Sequence, residues 1–110
     1  AKVMSKDPIP SDITLQRLQD YIWQMNIDRS FNAEDASKKL VMLIEEVGEL
    51  AKAVRKTAGL KFTETTKQTE LAEELADVQI VLLGLASLTG IDMRKAVAEK
   101  EAKNRQRKWL

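Results

Sequence analysis

The sequence predicts an all-α fold: four helices in one domain that packs into an oligomeric helical bundle. Three observations predict it. Apolar residues recur at three- and four-residue spacing through most of the chain, and no stretch alternates as a half-buried strand does. Only four glycines, two prolines and five aromatic residues occur in 110 residues, too few for the turns and core of a sandwich or barrel. The segment from Val78 to Leu88 is apolar nearly all round, the pattern of a helix enclosed by protein.

The elements follow in order. Residues 1–10, with Pro8 and Pro10, read as a flexible N-terminal tail, and 11–110 as a single domain. Ser11 or Asp12 can cap a first helix through about Met25, with Ile13, Leu15, Leu18, Ile22 and Met25 apolar. Asn26 to Phe31 is a connection. Asn32 is the expected cap of a second helix from Ala33 to Thr57, with Glu34 and Asp35 in the first turn, where the helix dipole favours acids. Its stripe is Leu40, Leu43, Ile44, Val47, Leu50, Ala51 and Val54, and Arg55, Lys56 and Gly59 mark its end. Leu60 to Thr66 is a loop. The third helix, about Thr66 to Leu88, is amphipathic at first, with Leu71, Leu75 and Val78 on one stripe. In so small a chain, much of the cover for Val78 to Leu88 is expected from another subunit. Gly90 ends that helix, and Asp92 caps a fourth from Met93 to Trp109, with seven basic residues between Arg94 and Lys108.

Composition excludes several kinds of chemistry. There is no cysteine, hence no disulfide and no thiolate metal site. There is no histidine, which removes histidine-based zinc sites, serine–histidine triads and histidine-bearing di-iron bundles. Any metal must be held by oxygen, which favours magnesium, with manganese as a possible substitute. A net charge of +1 gives no global field for nucleic acid or membrane. No apolar run is long enough to span a bilayer and no signal peptide opens the chain, so a cytoplasmic protein is expected.

Two acidic turns stand out, Glu45-Glu46-Val47-Gly48-Glu49 and Glu73-Glu74-Leu75-Ala76-Asp77. Glu46 and Glu49, and Glu74 and Asp77, are three apart, so each pair projects from one side of its helix. Elsewhere acids have basic neighbours at helical spacing, as Glu34 has Lys38 and Glu99 has Lys95 and Lys103. Around these four acids only Glu49 has one, Lys52. A solvated helix surface is the ordinary reading of a glutamate. Here leucines flank the acids, and folding the second helix on the third brings all four near one another. Such a cluster costs stability unless a dication neutralises it. Magnesium, completed by water and phosphate oxygens, suits that donor set, and two ions could share it to promote attack of water on phosphorus.

Glu46-x-x-Glu49, followed after 24 residues by Glu74-x-x-Asp77, resembles the ExxE…ExxD signature of the all-α nucleoside triphosphate pyrophosphohydrolases. The wording Glu45-Glu46-Val47-Gly48-Glu49-Leu50 and Glu74-Leu75-Ala76-Asp77-Val78 is most similar to the MazG-like branch. So is the ending Gly90-Ile91-Asp92, then Glu99-Lys100 and Lys103-Asn104-Arg105 before Trp109. The resemblance covers about Leu40 to Trp109. It implies a homodimer or homotetramer that hydrolyses a (deoxy)nucleoside triphosphate to monophosphate and pyrophosphate with magnesium, as nucleotide-pool house-cleaning. Carried over, Glu46, Glu49, Glu74 and Asp77 are the metal ligands, and Glu45 assists Glu46 by holding the attacking water. Lys100, Asn104 and Arg107 meet phosphate or sugar, at a spacing that fits one helix face. Arg55 and Lys56 are weaker phosphate candidates. Trp23 can stack on a base, although a packing tryptophan is an equally good reading.

Rival readings share parts of this pattern. A hydrolase dedicated to dUTP, dCTP or phosphoribosyl-ATP would carry a similar carboxylate frame. A non-catalytic helical dimerisation module explains Ile80 to Leu88 but not the acids. Nucleic-acid binding through the last helix is opposed by the near-neutral total and by the interleaved Glu99 and Glu101.

Overall fold

The computed structural model describes residues 8–30, 35–58 and 65–107, with side chains in the last stretch from residue 69. Among the described residues four helices run in order: α1 Leu15–Asp28, α2 Ala36–Thr57, α3 Thr65–Leu88 and α4 Met93–Arg105. No strand occurs among the described residues. α2 and α3 form the main pair, α1 packs on α3, and α4 leans chiefly on α1. Among the described residues, no single helix is long and apolar enough to cross a membrane.

The helix ends obey capping chemistry, at positions partly different from those expected. α1 is capped by Thr14, whose hydroxyl accepts from the Arg17 amide at 3.2 Å, rather than by Ser11 or Asp12. Those two lie in the turn that the Ile13 amide closes on the Pro10 carbonyl. α1 also runs on past Met25 to Asp28. α2 starts at Ala36, because Asp35 is extended and its carboxylate accepts from the Lys38 amide at 2.8 Å. Asp35 is therefore the cap and not a first-turn acid. Asn32, Ala33, Gly59, most of the loop after it and Trp109 lie outside the described residues. α3 ends in a left-handed Gly90 (φ 74°), where the Ile91 amide reaches the Ala86 carbonyl at 2.8 Å and the Gly90 amide that of Ser87 at 3.0 Å. Asp92 caps α4 as expected, accepting from the Lys95 amide at 3.3 Å. α4 stops at Arg105, where the amides of Gln106 and Arg107 fold back onto the carbonyls of Lys103 and Asn104. Arg107 consequently stands beyond the helix, not on one helical face with Lys100 and Asn104.

Among the described residues, the buried apolar side chains are Ile22 of α1, Ala53 of α2, and Leu83 and Ala86 of α3. α3 meets part of its expectation within the chain: Gly84 is buried with Leu83, and Val81, Leu82, Leu85 and Leu88 are half-buried. The stripe read on α2 divides. Leu43 and Leu50 turn inward, whereas Leu40, Ile44, Val47 and Val54 are 46–61% exposed. Leu75 of α3 likewise faces out at 53%. The apolar arc of α2 is wider than the seam one neighbouring helix can cover. The inward residues are instead Lys39, Leu43, Glu46, Leu50 and Ala53, at intervals of three and four.

Candidate metal centre

Glu46 stands in the middle of that inward row, half-buried, flanked by Leu43 one turn before and Leu50 one turn after. α3 presents Glu74 and Asp77 to it, one turn apart and bordered by Leu71 and Val78. The three carboxylates each place an oxygen within 4.8 Å of the others. Three hard oxygen donors, from two helices held together by their own packing, fit a magnesium or manganese ion in chemistry. Exposed acids cluster without ions in many proteins, so the chemistry of the donors and not their number carries the fit.

The other expected site residues are placed differently. Glu49 is outside the trio; its Oε1 lies 3.7 Å from Lys52 Nζ, and both side chains are exposed. It remains a neighbour, since Glu49 and Glu74 line one small cavity of about 120 Å³ together with Lys52, Ala53, Lys56, Glu70 and Glu73. Glu45 is exposed beside Glu46. Lys100 and Asn104 line a hollow of about 320 Å³ formed by α4 itself, with Met93, Ala96, Val97 and Glu101. Trp23 is half-buried on α1, in a hollow shared with Gln19, Asp20, Ser87 and Gly90 at the far end of α3. Neither hollow contains Glu45, Glu46, Glu49, Glu74 or Asp77, and one chain does not bring these residues to the trio.

Electrostatics single out Glu46. Its carboxyl is held above the ordinary value, first because burial disfavours its charge, then because Asp77, Glu74, Glu49 and Glu45 repel it in that order. A dication among these groups reverses the sign of the local field and favours the ionised form.

The residues that sequence reasoning missed are polar and buried. Gln19, Asn26 and Lys39 are 6%, 4% and 3% exposed. Gln19 donates from Nε2 to Ser87 Oγ at 3.1 Å and to the Ile91 carbonyl at 2.7 Å, while its Oε1 accepts from the Met93 amide at 2.9 Å. One side chain thus ties α1 to the end of α3 and to the first turn of α4. Asn26 and Lys39 close on Gly84, where an added Cβ would stand 3.0 Å from Asn26 Nδ2 and 3.8 Å from Lys39 Cε. A signal was available: Gln19, Ile22 and Asn26 are three and four apart, so the polar pair shares the face of a core isoleucine.

Comparison with known proteins gives one family and two relatives. Residues 34–109 match the family model of the MazG nucleotide pyrophosphohydrolase domain. The chain is 37% identical over 82 residues to a dATP/dGTP diphosphohydrolase of Salmonella phage PMBT28, covering 74% of this chain and 23% of that protein. It is 37% identical over 70 residues to a dATP/dGTP diphosphohydrolase of Cyanophage S-2L, covering 64% of this chain and 54% of that protein. The chain therefore spans about half of one of these relatives and about a quarter of the other.

Proposed function

The chain belongs to the MazG nucleotide pyrophosphohydrolase domain family, and from that premise we propose that it hydrolyses a deoxynucleoside triphosphate to the monophosphate and pyrophosphate, using magnesium. The observation that carries the proposal is the meeting of Glu46 with Glu74 and Asp77 across the α2–α3 seam. The names of the two phage relatives point to a purine deoxynucleotide as substrate. Removal of unwanted nucleotides from the cytoplasmic pool is the role such an activity would serve.

Glu46, Glu74 and Asp77 would hold magnesium, with Glu49 swinging from Lys52 to join them. Magnesium, when bound, supplies positive charge against the triphosphate oxygens. The carboxylates fix where that charge sits, and the leucines around Glu46 exclude bulk water from one side of it. Glu45, exposed next to Glu46, orients the attacking water and takes up its proton. Water oxygen bonds to the α-phosphorus, the α–β anhydride bond breaks, and pyrophosphate leaves. Catalysis of this kind is positioning and charge neutralisation.

A homodimer or homotetramer completes the reading. The outward row of α2 (Leu40, Ile44, Val47 and Val54) is an apolar strip that a second copy would cover. Assembly is also what would bring Lys100, Asn104, Arg107 and Trp23 to a triphosphate held at the carboxylates. The test is pyrophosphate release across a panel of deoxynucleoside and ribonucleoside triphosphates, with dUTP, dCTP and phosphoribosyl-ATP included, with and without magnesium. Release from a purine deoxynucleotide that stops on chelation is the expected result. Silence across the panel, with no heat on titration with magnesium and a non-hydrolysable triphosphate, would leave a dimerisation module as the better reading.

A further inference from the structure

The carboxylate trio has two unlike sides along α2. Toward the C-terminal end, Glu49 is followed one turn on by Lys52 and a further turn on by Lys56, with Arg55 between them. Lys52 and Lys56 line the 120 Å³ cavity that Glu74 shares. The same two lysines, with Arg55, line a second hollow of about 350 Å³. The two spaces share the Lys52 and Lys56 side chains in their lining; the inner one also carries Glu49, Glu70, Glu73 and Glu74, while the outer one is lined by Lys52, Arg55 and Lys56. Side chains of a helix lean toward its N-terminus, so these cations lean back toward the carboxylates and not away from them. At 1.5 Å per residue, Lys52 stands roughly 9 Å and Lys56 roughly 15 Å beyond Glu46 along the axis. A chain of phosphates leaving the trio this way meets the two lysines in turn. Toward the N-terminal end, by contrast, α2 lines a hollow with Ser37, Lys38, Val41 and Met42, where apolar side chains take part.

We propose that Lys52 and Lys56, with Arg55 beside them, form the subsite for the pyrophosphate end of the substrate, so that the triphosphate lies along α2 with its nucleoside toward the N-terminal half. The proposal rests on the hydrolase reading above and adds an orientation to it. Lys52 serves two states: it pairs with Glu49 in the chain alone, and turns to phosphate when Glu49 is drawn to the dication. Cations in the last turns of a helix are favourable there in any case. What marks these is the cavity they share with Glu74.

The test is calorimetric titration of the intact chain, with magnesium, by inorganic pyrophosphate and separately by dGMP. For Lys52→Ala/Lys56→Ala the expected result is at least about a tenfold weakening for pyrophosphate, the size of one lost charge-assisted contact or more. Binding of dGMP should change less than twofold, and Lys95→Ala, which removes the same charge from α4, should leave both unchanged. Pyrophosphate binding that ignores both lysines, or that weakens equally in Lys95→Ala, overturns the subsite. The two readings separate cleanly. A chain that binds pyrophosphate through these lysines yet hydrolyses no triphosphate keeps the subsite and loses the hydrolase. An active hydrolase indifferent to both lysines keeps the activity and loses the orientation.

Discussion

The two faces of α2 are inverted relative to a self-sufficient helix. The inward row carries a buried lysine and a half-buried glutamate among its leucines, Lys39 and Glu46. The outward row carries Leu40, Ile44, Val47 and Val54, all substantially exposed. A helix that only held a monomer together would turn these faces the other way. The contrast teaches that the inner face carries polar groups a simple core would avoid, and that the outer face is an exposed apolar strip, the one proposed above for a second copy. The inner face bears costs that a core would avoid, namely a desolvated carboxyl amid like charges.

The largest effect expected from breaking the inner face is on turnover. Glu74→Gln or Asp77→Asn removes one oxygen donor from the trio while keeping shape and helix content. Pyrophosphate release should fall at least about 100-fold, more than the loss seen when a mere outer-shell partner of a metal is removed. Near-normal rates with magnesium in either variant, by the same assay, would remove these acids from the reaction.

Breaking the outer face should act on assembly instead. Ile44→Lys or Val47→Lys places a charge in the exposed apolar row. The dissociation constant of the oligomer should rise at least about tenfold, as for loss of one interface anchor, read by light scattering across a concentration series. Helix content should persist, because neither side chain belongs to the inner packing. Unchanged mass would show that the second copy sits elsewhere.

How much of this contrast the sequence displayed depends on which periodicity is asked for. The helices, the Asp92 cap, the Gly90 ending and the proximity of Glu46, Glu74 and Asp77 were legible, because capping residues and i, i+3 carboxylates have local causes. The direction α2 faces was not. Its apolar residues span both the 39–43–46–50–53 row and the 40–44–47–54 row, and hydropathy alone ranks the second higher. Packing against α3 goes with the first, and in that register Lys39 and Asn26 both close on Gly84. For Gln19 the spacing to Ile22 marks the core face, but not what the side chain does there. Its value lies in three partners 68 to 74 residues away, and no local pattern encodes them.

That choice of register can itself be strained. Gly84→Ala puts a methyl 3.0 Å from Asn26 Nδ2 and 3.8 Å from Lys39 Cε. Overpacking of this kind costs about 1–3 kcal/mol, roughly 4–20 °C in melting temperature for a domain near this size. Gln19→Leu should cost a comparable amount, because it leaves the Met93 amide and the Ile91 carbonyl to find new partners. A thermal melt of each variant checks both. A melt unchanged in Gly84→Ala would mean that Asn26 and Lys39 yield freely.

The smallest expected effect is the most specific to the inner face. With its carboxyl raised above the ordinary 4.5, Glu46 binds more protons in the folded chain than in the unfolded one just above that pH. Stability therefore falls as pH rises through that window, since it rises with pH only where the unfolded state holds more protons. Glu46→Gln mimics the protonated form and should remove this slope. Without metal, the variant should be the more stable at pH 7 by on the order of 0.2–0.5 kcal/mol, the size of like-charge contacts at helical spacing. That is roughly 1–3 °C in melting temperature. At pH 3, well below the ordinary 4.5, the two should melt more nearly together, because the carboxyl is then mostly protonated in the folded and the unfolded chain alike. Saturating magnesium should reverse the order at pH 7, since the parent gains a bound ion and the variant loses a ligand for it. Melting curves at both pH values, with and without magnesium, give four comparisons. Parallel pH profiles for parent and variant would mean that Glu46 is an ordinary surface acid, and the inversion of α2 would then be a matter of packing alone.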